Sequence, residues 1–296
     1  MAKIIIDYCN NVDPYNGEVE KQLFDIVKSH NDKEKDNLLK TSNNYSFLYH
    51  LKMERGHIIG VADIKKEDQC LEIGSECGAI SEAILRKSDH LDCIDISNKR
   101  SEINLERNRD KKGLNIYVGR LQDVAPKLKK KYDKIFIIGT LEYASSHINV
   151  ENPYLEMLKV AKKLLNKDGK IYIAIDNKYG LRYFAGAKDD RTGKAFESIE
   201  GYDENVRTFS AKTIQNLLKE AGFADFFFYF PFPDFRFPNV IYSERMLPNE
   251  ESFRDLGHSL NEDRAVLFNE DNAFREASKE GLIEMFTNSF LIEVNG

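Results

Sequence analysis

Cysteine is scarce in this chain and poorly spaced for chemistry. Cys9, Cys70, Cys77 and Cys93 form no CxxC pair and no metal-ligand spacing, which argues against a disulfide framework and a zinc site and leaves reduced, mostly buried thiols. Long apolar runs are missing too. The opening MAKIIIDYCNN has one lysine and only three apolar residues in a row before Asp7, too few for a signal peptide. The aromatic run 226–232 is interrupted by Pro231 and followed by Pro233 and Asp234, well short of the roughly 20 residues that cross a bilayer. A cytoplasmic protein without a membrane span is the expectation. There is also no basic excess. A formal net charge of -6 argues against a nucleic-acid partner, because such domains carry a basic face or stripe. The stretch KLKKK at 127–131 reads as a solvated helix end between two strands.

What the chain does have is length and pattern. At 296 residues and 42% hydrophobic content it can bury a large core. Residues 1–60 are polar and charge-rich, with Leu23, Phe24, Ile26, Val27 and then Tyr45, Phe47, Leu48, Tyr49 and Leu51 at helix-compatible spacing, which predicts a helical N-terminal extension. From residue 69 short apolar runs alternate with amphipathic segments. Strands are expected at 69–74, 91–96, 115–119, 134–139 and 170–176, and helices at 79–87, 98–111 and 153–165. A helix over 211–221, stopped by Gly222, leads into an aromatic strand at 223–230, and SFLIEV at 289–294 supplies a seventh strand. Alternating strands and helices imply an α/β fold with a mostly parallel sheet. The main domain spans 61–296, interrupted by long connections at 177–206 and 231–288. Connections of that length are usually lids or binding loops.

The sharpest motif is Leu71-Glu72-Ile73-Gly74-Ser75-Glu76-Cys77-Gly78, a strand that ends on an acid and a glycine turn that opens a helix. Gly74 and Gly78 can take positive φ and leave room for a nucleotide-like ligand, although a plain tight turn is the alternative. Asp95 ends the next strand 21 residues after Gly74, where a carboxylate can accept hydrogen bonds from both ribose hydroxyls. It could instead cap the helix that begins near Asn98, for which Ser97 is better placed. A nicotinamide dinucleotide fits less well, because Glu76 at the helix entrance would repel its two phosphates.

Residues 69–176 resemble the class I S-adenosylmethionine-dependent methyltransferases: Glu72-x-Gly74-x-x-x-Gly78 is similar to their glycine-rich first motif and Asp95 to their ribose-binding acid. TLEYASS, DNKYGLRYFAG, GYDENVRTFS and YFPFPDFRFPNVIYSE resemble a subgroup associated with bacterial cell-surface polysaccharide assembly, often within longer proteins. The resemblance implies a Rossmann-like, seven-stranded, mostly parallel sheet with an antiparallel last strand beside the aromatic one. It implies S-adenosylmethionine as cofactor, bound by Glu72, Gly74, Glu76, Gly78, Asp95 and Gly139, with the adenine near Leu121, Gln122 and Asp123. An ordinary surface loop is the other reading of those last three. The chain departs from the pattern at Glu76, where the family has glycine, and at Arg120, where it has an acid. Glu76 could crowd the methionine moiety or pair with its ammonium group.

Ligands of open α/β sheets bind beyond the carboxyl ends of the strands, which places the methyl acceptor beside 139–143 and 176–179. Transfer to a hydroxyl benefits from a base that takes its proton, and Glu142, His147 and Asp176 are the candidates. Each has another reading: Glu142 as a cofactor anchor or turn cap, His147 as a loop histidine, Asp176 as a turn residue. The insertion 179–202 mixes tyrosine and phenylalanine with charged residues, a composition suited to a sugar. A sugar or glycan intermediate is the expected acceptor, and association with polysaccharide-assembly enzymes would follow. A peptide or small-metabolite acceptor, or a methyltransferase-like binding module without turnover, is the alternative.

Overall fold

The computed structural model describes residues 2–8, 13–42, 44–202, 207–253 and 265–296; Cys9 lies outside them. Nine strands form one sheet in the order β1-β4-β3-β2-β5-β6-β9-β7-β8. They are β1 Lys3–Tyr8, β2 Gln69–Ile73, β3 His90–Asp95, β4 Leu114–Gly119, β5 Tyr132–Ile138, β6 Leu165–Asp176, β7 Phe226–Phe232, β8 Val240–Ser243 and β9 Ser289–Asn295. The first six in that order, β1 to β6, run parallel to their neighbours, and β9 is antiparallel to both β6 and β7.

The inner strands are apolar on both faces because both faces are covered. Alternation along β5 shows this: Ile135 and Ile137 enter the core cluster that holds the helix Pro153–Leu164, while Phe136 and Ile138 enter the opposite cluster with Ile80 and Ile84. Capping fixes where the helices start. The Ser97 side chain accepts from the Arg100 N–H at 3.1 Å and opens α5 (Asn98–Arg107), and Ser210 does the same for the helix Ala211–Glu220.

Two strands correct the seven-strand expectation. Residues 3–8 of the N-terminal extension are β1, paired in parallel with β4 from Lys3↔Asn115 to Tyr8↔Gly119. As an edge strand it is covered on one side only and carries no clean alternation, with Ile6 58% exposed, so periodicity could not reveal it. The extension also carries three helices among its described residues: α1 (Glu18–Ser29), α2 (Asp32–Thr41) and α3 (Tyr45–Leu51). Within the second insertion, Val240–Ser243 forms β8 against β7. Its half-buried VIYS is too short to stand out from the proline-rich run before it.

The C-terminal strand sits inside the sheet. Seven residue pairs join β9 to β6 and four join it to β7, so its loss exposes two strand edges and the buried Phe290, Ile292 and Val294. A chain truncated before Ser289 is expected to show no cooperative thermal transition by circular dichroism. A transition at the full-length temperature would refute this account of the sheet.

Candidate cofactor and acceptor site

The carboxyl ends of β2, β3 and β5 converge on a cavity of about 260 Å³, with Gly74, Asp95 and Gly139 on its wall. The glycines are required, though by packing. A Cβ on Gly74, at φ 80°, would lie 2.2 Å from Thr140 Oγ1, and one on Gly78 would lie 2.3 Å from Asn104 Oδ1. Gly78 therefore brings α4 (Ala79–Leu85) close to α5 and does not line the cavity. Glu76 takes φ 46°, a conformation that favours glycine. Its backbone N–H donates to Asp95 Oδ2 at 2.7 Å while the Ser97 N–H donates to Oδ1 at 2.9 Å. Asp95 is thus locked at the strand tip, and burial pushes its carboxyl up to about 6 against the pull of these two bonds.

The Glu76 carboxylate lies on the cavity wall between two guanidiniums, 3.9 Å from Arg55 and 3.7 Å from Arg100. Arg100 also donates to Glu20 of α1 at 3.2 Å and lies 3.6 Å above the Tyr15 ring, while Arg55 lies 4.0 Å above the Tyr49 ring. The N-terminal extension thereby supplies a wall that the sequence did not announce, with Tyr15, Tyr45, Tyr49 and His50. The only hint was the helical spacing of Tyr45 and Tyr49.

Glu72 does not reach the cavity. It is buried beneath the glycine turn, where its Oε2 accepts from the Ser81 hydroxyl and faces the Cys93 thiol at 3.6 Å. Leu121 is fully buried core, Gln122 accepts from the Asn149 N–H at 2.8 Å, and Asp123 is exposed; none of the three is on the cavity wall. Their helical turn, Leu121–Val124, packs against β3 and β4, with Leu121 and Val124 in the core.

Glu142 and His147 occupy the opposite wall with Tyr143 and Ser146. Glu142 Oε1 accepts from the Asp176 N–H at 3.3 Å and faces Arg191 at 3.7 Å, whereas Oε2 is buried with no hydrogen-bond partner among the described residues. Burial pushes this carboxyl up to about 7, with Arg191 opposing the rise. Burial also pushes the His147 imidazole down to about 4, Arg120 adding to the effect, and its Nδ1 has no partner.

Asp176 is placed differently from the base expected at this strand end. It is fully buried, is absent from the wall, and accepts from Arg236 at 2.9 and 2.7 Å and from Arg191 at 3.1 Å, with Arg182 at 3.0 Å. Burial alone would raise its carboxyl; the Arg182, Arg236 and Arg191 guanidiniums reverse this and hold it far below the ordinary range. A carboxylate so held is an anchor and a poor proton acceptor. Its partners Arg191 and Arg236, with Asp190 and Phe235, bring both insertions onto the cavity wall.

A glycine turn, an acid at the next strand tip and a cavity over the carboxyl ends of a mostly parallel sheet define a nucleotide-type ligand site. The chain belongs to the methyltransferase-domain family, whose model matches residues 47–225. No curated protein matches it. Among solved structures, a SAM-dependent methyltransferase from Archaeoglobus fulgidus is 16% identical, covers 86% of this chain and 100% of its own, and superposes with a TM-score of 0.50. The plantazolicin methyltransferase BamL, solved with a substrate analogue and SAH, is 16% identical over 94% of this chain and 96% of its own, with a TM-score of 0.48. The protein carries a methyltransferase domain, for which S-adenosylmethionine is the cofactor expected from the sequence motifs.

The residues present fit that cofactor. Asp95 is fixed at the cavity wall, and Glu76, beside it, presents a partly exposed carboxylate to a ligand that is cationic at its sulfonium and ammonium groups.

Glu72 offers a check on the ground beneath the turn. Burial raises its carboxyl to about 8, against about 4 when unfolded, so the folded state keeps a proton that the unfolded state releases. Stability is then lost as pH rises from about 5 to 8. Glu72→Gln, which keeps an acceptor for Ser81 without the charge, should gain about 2 kcal/mol on the wild type between pH 5 and 7 in urea unfolding. A gap that does not change with pH would show that Glu72 ionises normally.

Proposed function

We propose that the protein transfers the methyl group of S-adenosylmethionine to a hydroxyl of a sugar or glycan intermediate, with Glu142 accepting the hydroxyl proton. The observation that carries this reading is Glu142 itself, a carboxylate on the cavity wall with one oxygen fixed and the other unpartnered, its proton affinity raised to about 7. A base poised near neutrality is what proton removal requires.

The cofactor supplies an activated methyl group on a sulfonium. Gly74, Glu76, Asp95 and Gly139 would hold it at the strand tips, where the Asp95 carboxylate could accept from ribose hydroxyls. Glu142 and His147 face the acceptor, and His147 is neutral at physiological pH, so its unpartnered Nδ1 can orient the hydroxyl. Asp176 acts through Arg191 and Arg236 as a positioning residue. Tyr45, Tyr49, Tyr143 and Phe235 supply flat faces for the C–H surfaces of a sugar ring, and the polar groups between them bind its hydroxyls. No described helix is long and apolar enough to cross a membrane. The sequence resemblance supports a cytoplasmic reaction alongside polysaccharide-assembly enzymes.

Calorimetry with S-adenosylhomocysteine, followed by product detection on a panel of saccharides, peptides and small metabolites, tests the reading. Asp95→Asn should weaken cofactor binding roughly tenfold or more, since a charged acceptor becomes neutral. Unaltered affinity would remove Asp95 from the site. Glu142→Gln should lower kcat about a hundredfold while leaving cofactor affinity within about twofold. In the wild type kcat should rise with pH through about 7 and level off, as ionised Glu142 accumulates. A flat profile, or a variant with full activity, would dismiss Glu142 as the base. Methylation of peptides in preference to every saccharide would dismiss the sugar.

A further inference from the structure

The charged groups around the cavity are unequally free. Arg191 and Arg236, the guanidiniums of the acceptor side, have their donors taken. Arg191 gives Nε and Nη2 to Asp189 at 2.9 and 2.7 Å, Nη2 also to the Tyr183 hydroxyl at 3.2 Å, and Nη1 to Asp176 at 3.1 Å. Arg236 gives both terminal nitrogens to Asp176, and its Nη2 lies 2.8 Å from Asp190. On the cofactor side Arg100 is divided between Glu20 and Glu76. The unpartnered buried side-chain atoms on the wall, among the described residues, are Glu142 Oε2, His147 Nδ1 and Tyr45 Oη. The first is an acceptor when ionised, the second accepts in one of its two neutral tautomers, and the third is a hydroxyl that can do either. Four carboxylates (Glu76, Asp95, Glu142 and Asp190) line the cavity against three guanidiniums.

From this geometry we infer that the acceptor carries no phosphate or carboxylate near its reacting group, and is a neutral or amine-bearing molecule that offers O–H or N–H donors to Glu142 and His147. The inference rests on the reading of this cavity as the acceptor site, and it narrows the sugar class to unphosphorylated, non-uronic forms. An anion entering beside Glu142 would give up its water and find the two guanidiniums of that side, Arg191 and Arg236, already held by the buried Asp189 and Asp176. To bind one, Arg191 or Arg236 would have to abandon Asp176 or Asp189, leaving a buried carboxylate uncompensated. A donor-rich neutral group or an ammonium meets free acceptors and needs no such rearrangement. Discrimination of this kind comes from the unpaired charge imposed on the wrong ligand.

The test uses two series matched in shape and different in charge: glucose, glucosamine, glucuronate and glucose 6-phosphate, and then benzyl alcohol, benzylamine and benzoate. Binding is measured calorimetrically on the full chain with S-adenosylhomocysteine, and methyl transfer by mass spectrometry with S-adenosylmethionine. In at least one series the neutral or amine member should bind more tightly than the anionic members by roughly tenfold or more. Asp190→Asn, which releases an Arg236 donor toward the cavity, should narrow that gap. An anionic member that binds as tightly as its neutral counterpart, or a gap unmoved by Asp190→Asn, overturns the inference. If the charge order holds only in the aryl series, the sugar reading fails and the inference stands. If no member of either series binds, the cavity is no acceptor site and both fall.

Discussion

Asp176 and the three guanidiniums that surround it are the constraint on which the site depends. The carboxylate is fully buried at the end of β6, and a buried charge is tolerated only when it is paired and hydrogen-bonded. Arg182 and Arg191 come from the first insertion and Arg236 from the second. One strand-end acid therefore fixes both long connections against the sheet. Removing the carboxylate leaves three buried guanidiniums short of a shared acidic partner in a low-dielectric interior, where breaking a buried pair costs about 3–5 kcal/mol. The insertions are consequently walls of the cavity, held by the same contacts that keep Asp176 ionised.

The opposite side is closed by a second, looser set of charges. Arg100 on α5 joins Glu20 of α1 to Glu76 of the glycine turn, and Arg55, stacked on the Tyr49 ring, also approaches Glu76. These pairs are longer and Glu76 is partly exposed, so each contributes less than the contacts of Asp176. Their effect is geometric. They offset the positive φ of Glu76, which costs on the order of 1 kcal/mol for a residue with a side chain, and they tie the N-terminal extension to the cofactor turn. With β1 paired to β4, the extension belongs to the same sheet as the rest of the domain.

What could be read from the sequence was what is local. Buried parallel strands are short apolar runs, and the tips of β2, β3 and β5 follow from where those runs stop, so Gly74, Asp95 and Gly139 could be placed together. Glu142 and His147 followed from being just past β5. The reading failed where partners are distant in the chain. Asp176 is indistinguishable in sequence from a strand-end base, because Arg236 lies 60 residues away and only folding brings it within 2.7 Å. Glu72 and Leu121 carry familiar motif positions, but their side chains point into the interior. Tyr45 and Tyr49 were visible only as apolar spacing and Tyr15 not at all, since nothing local shows which segments will be laid over a cavity.

The contrast between Glu142 and Asp176 shows how one environment produces two carboxylates of opposite character. Both are buried, the Asp176 backbone N–H donates to the Glu142 carboxylate, and both carboxylates face Arg191. Arg191 stands 3.1 Å from Asp176 and 3.7 Å from Glu142, and Asp176 has two further guanidiniums where Glu142 has none. Burial raises both proton affinities, and the cations overcome that rise only at Asp176. The ionised Asp176 adds to the cost of ionising its neighbour, so the anchor that holds the insertions also helps to keep Glu142 protonatable near neutral pH. Pushing two adjacent acids apart in this way assigns one to structure and leaves the other able to exchange a proton with a ligand in the cavity.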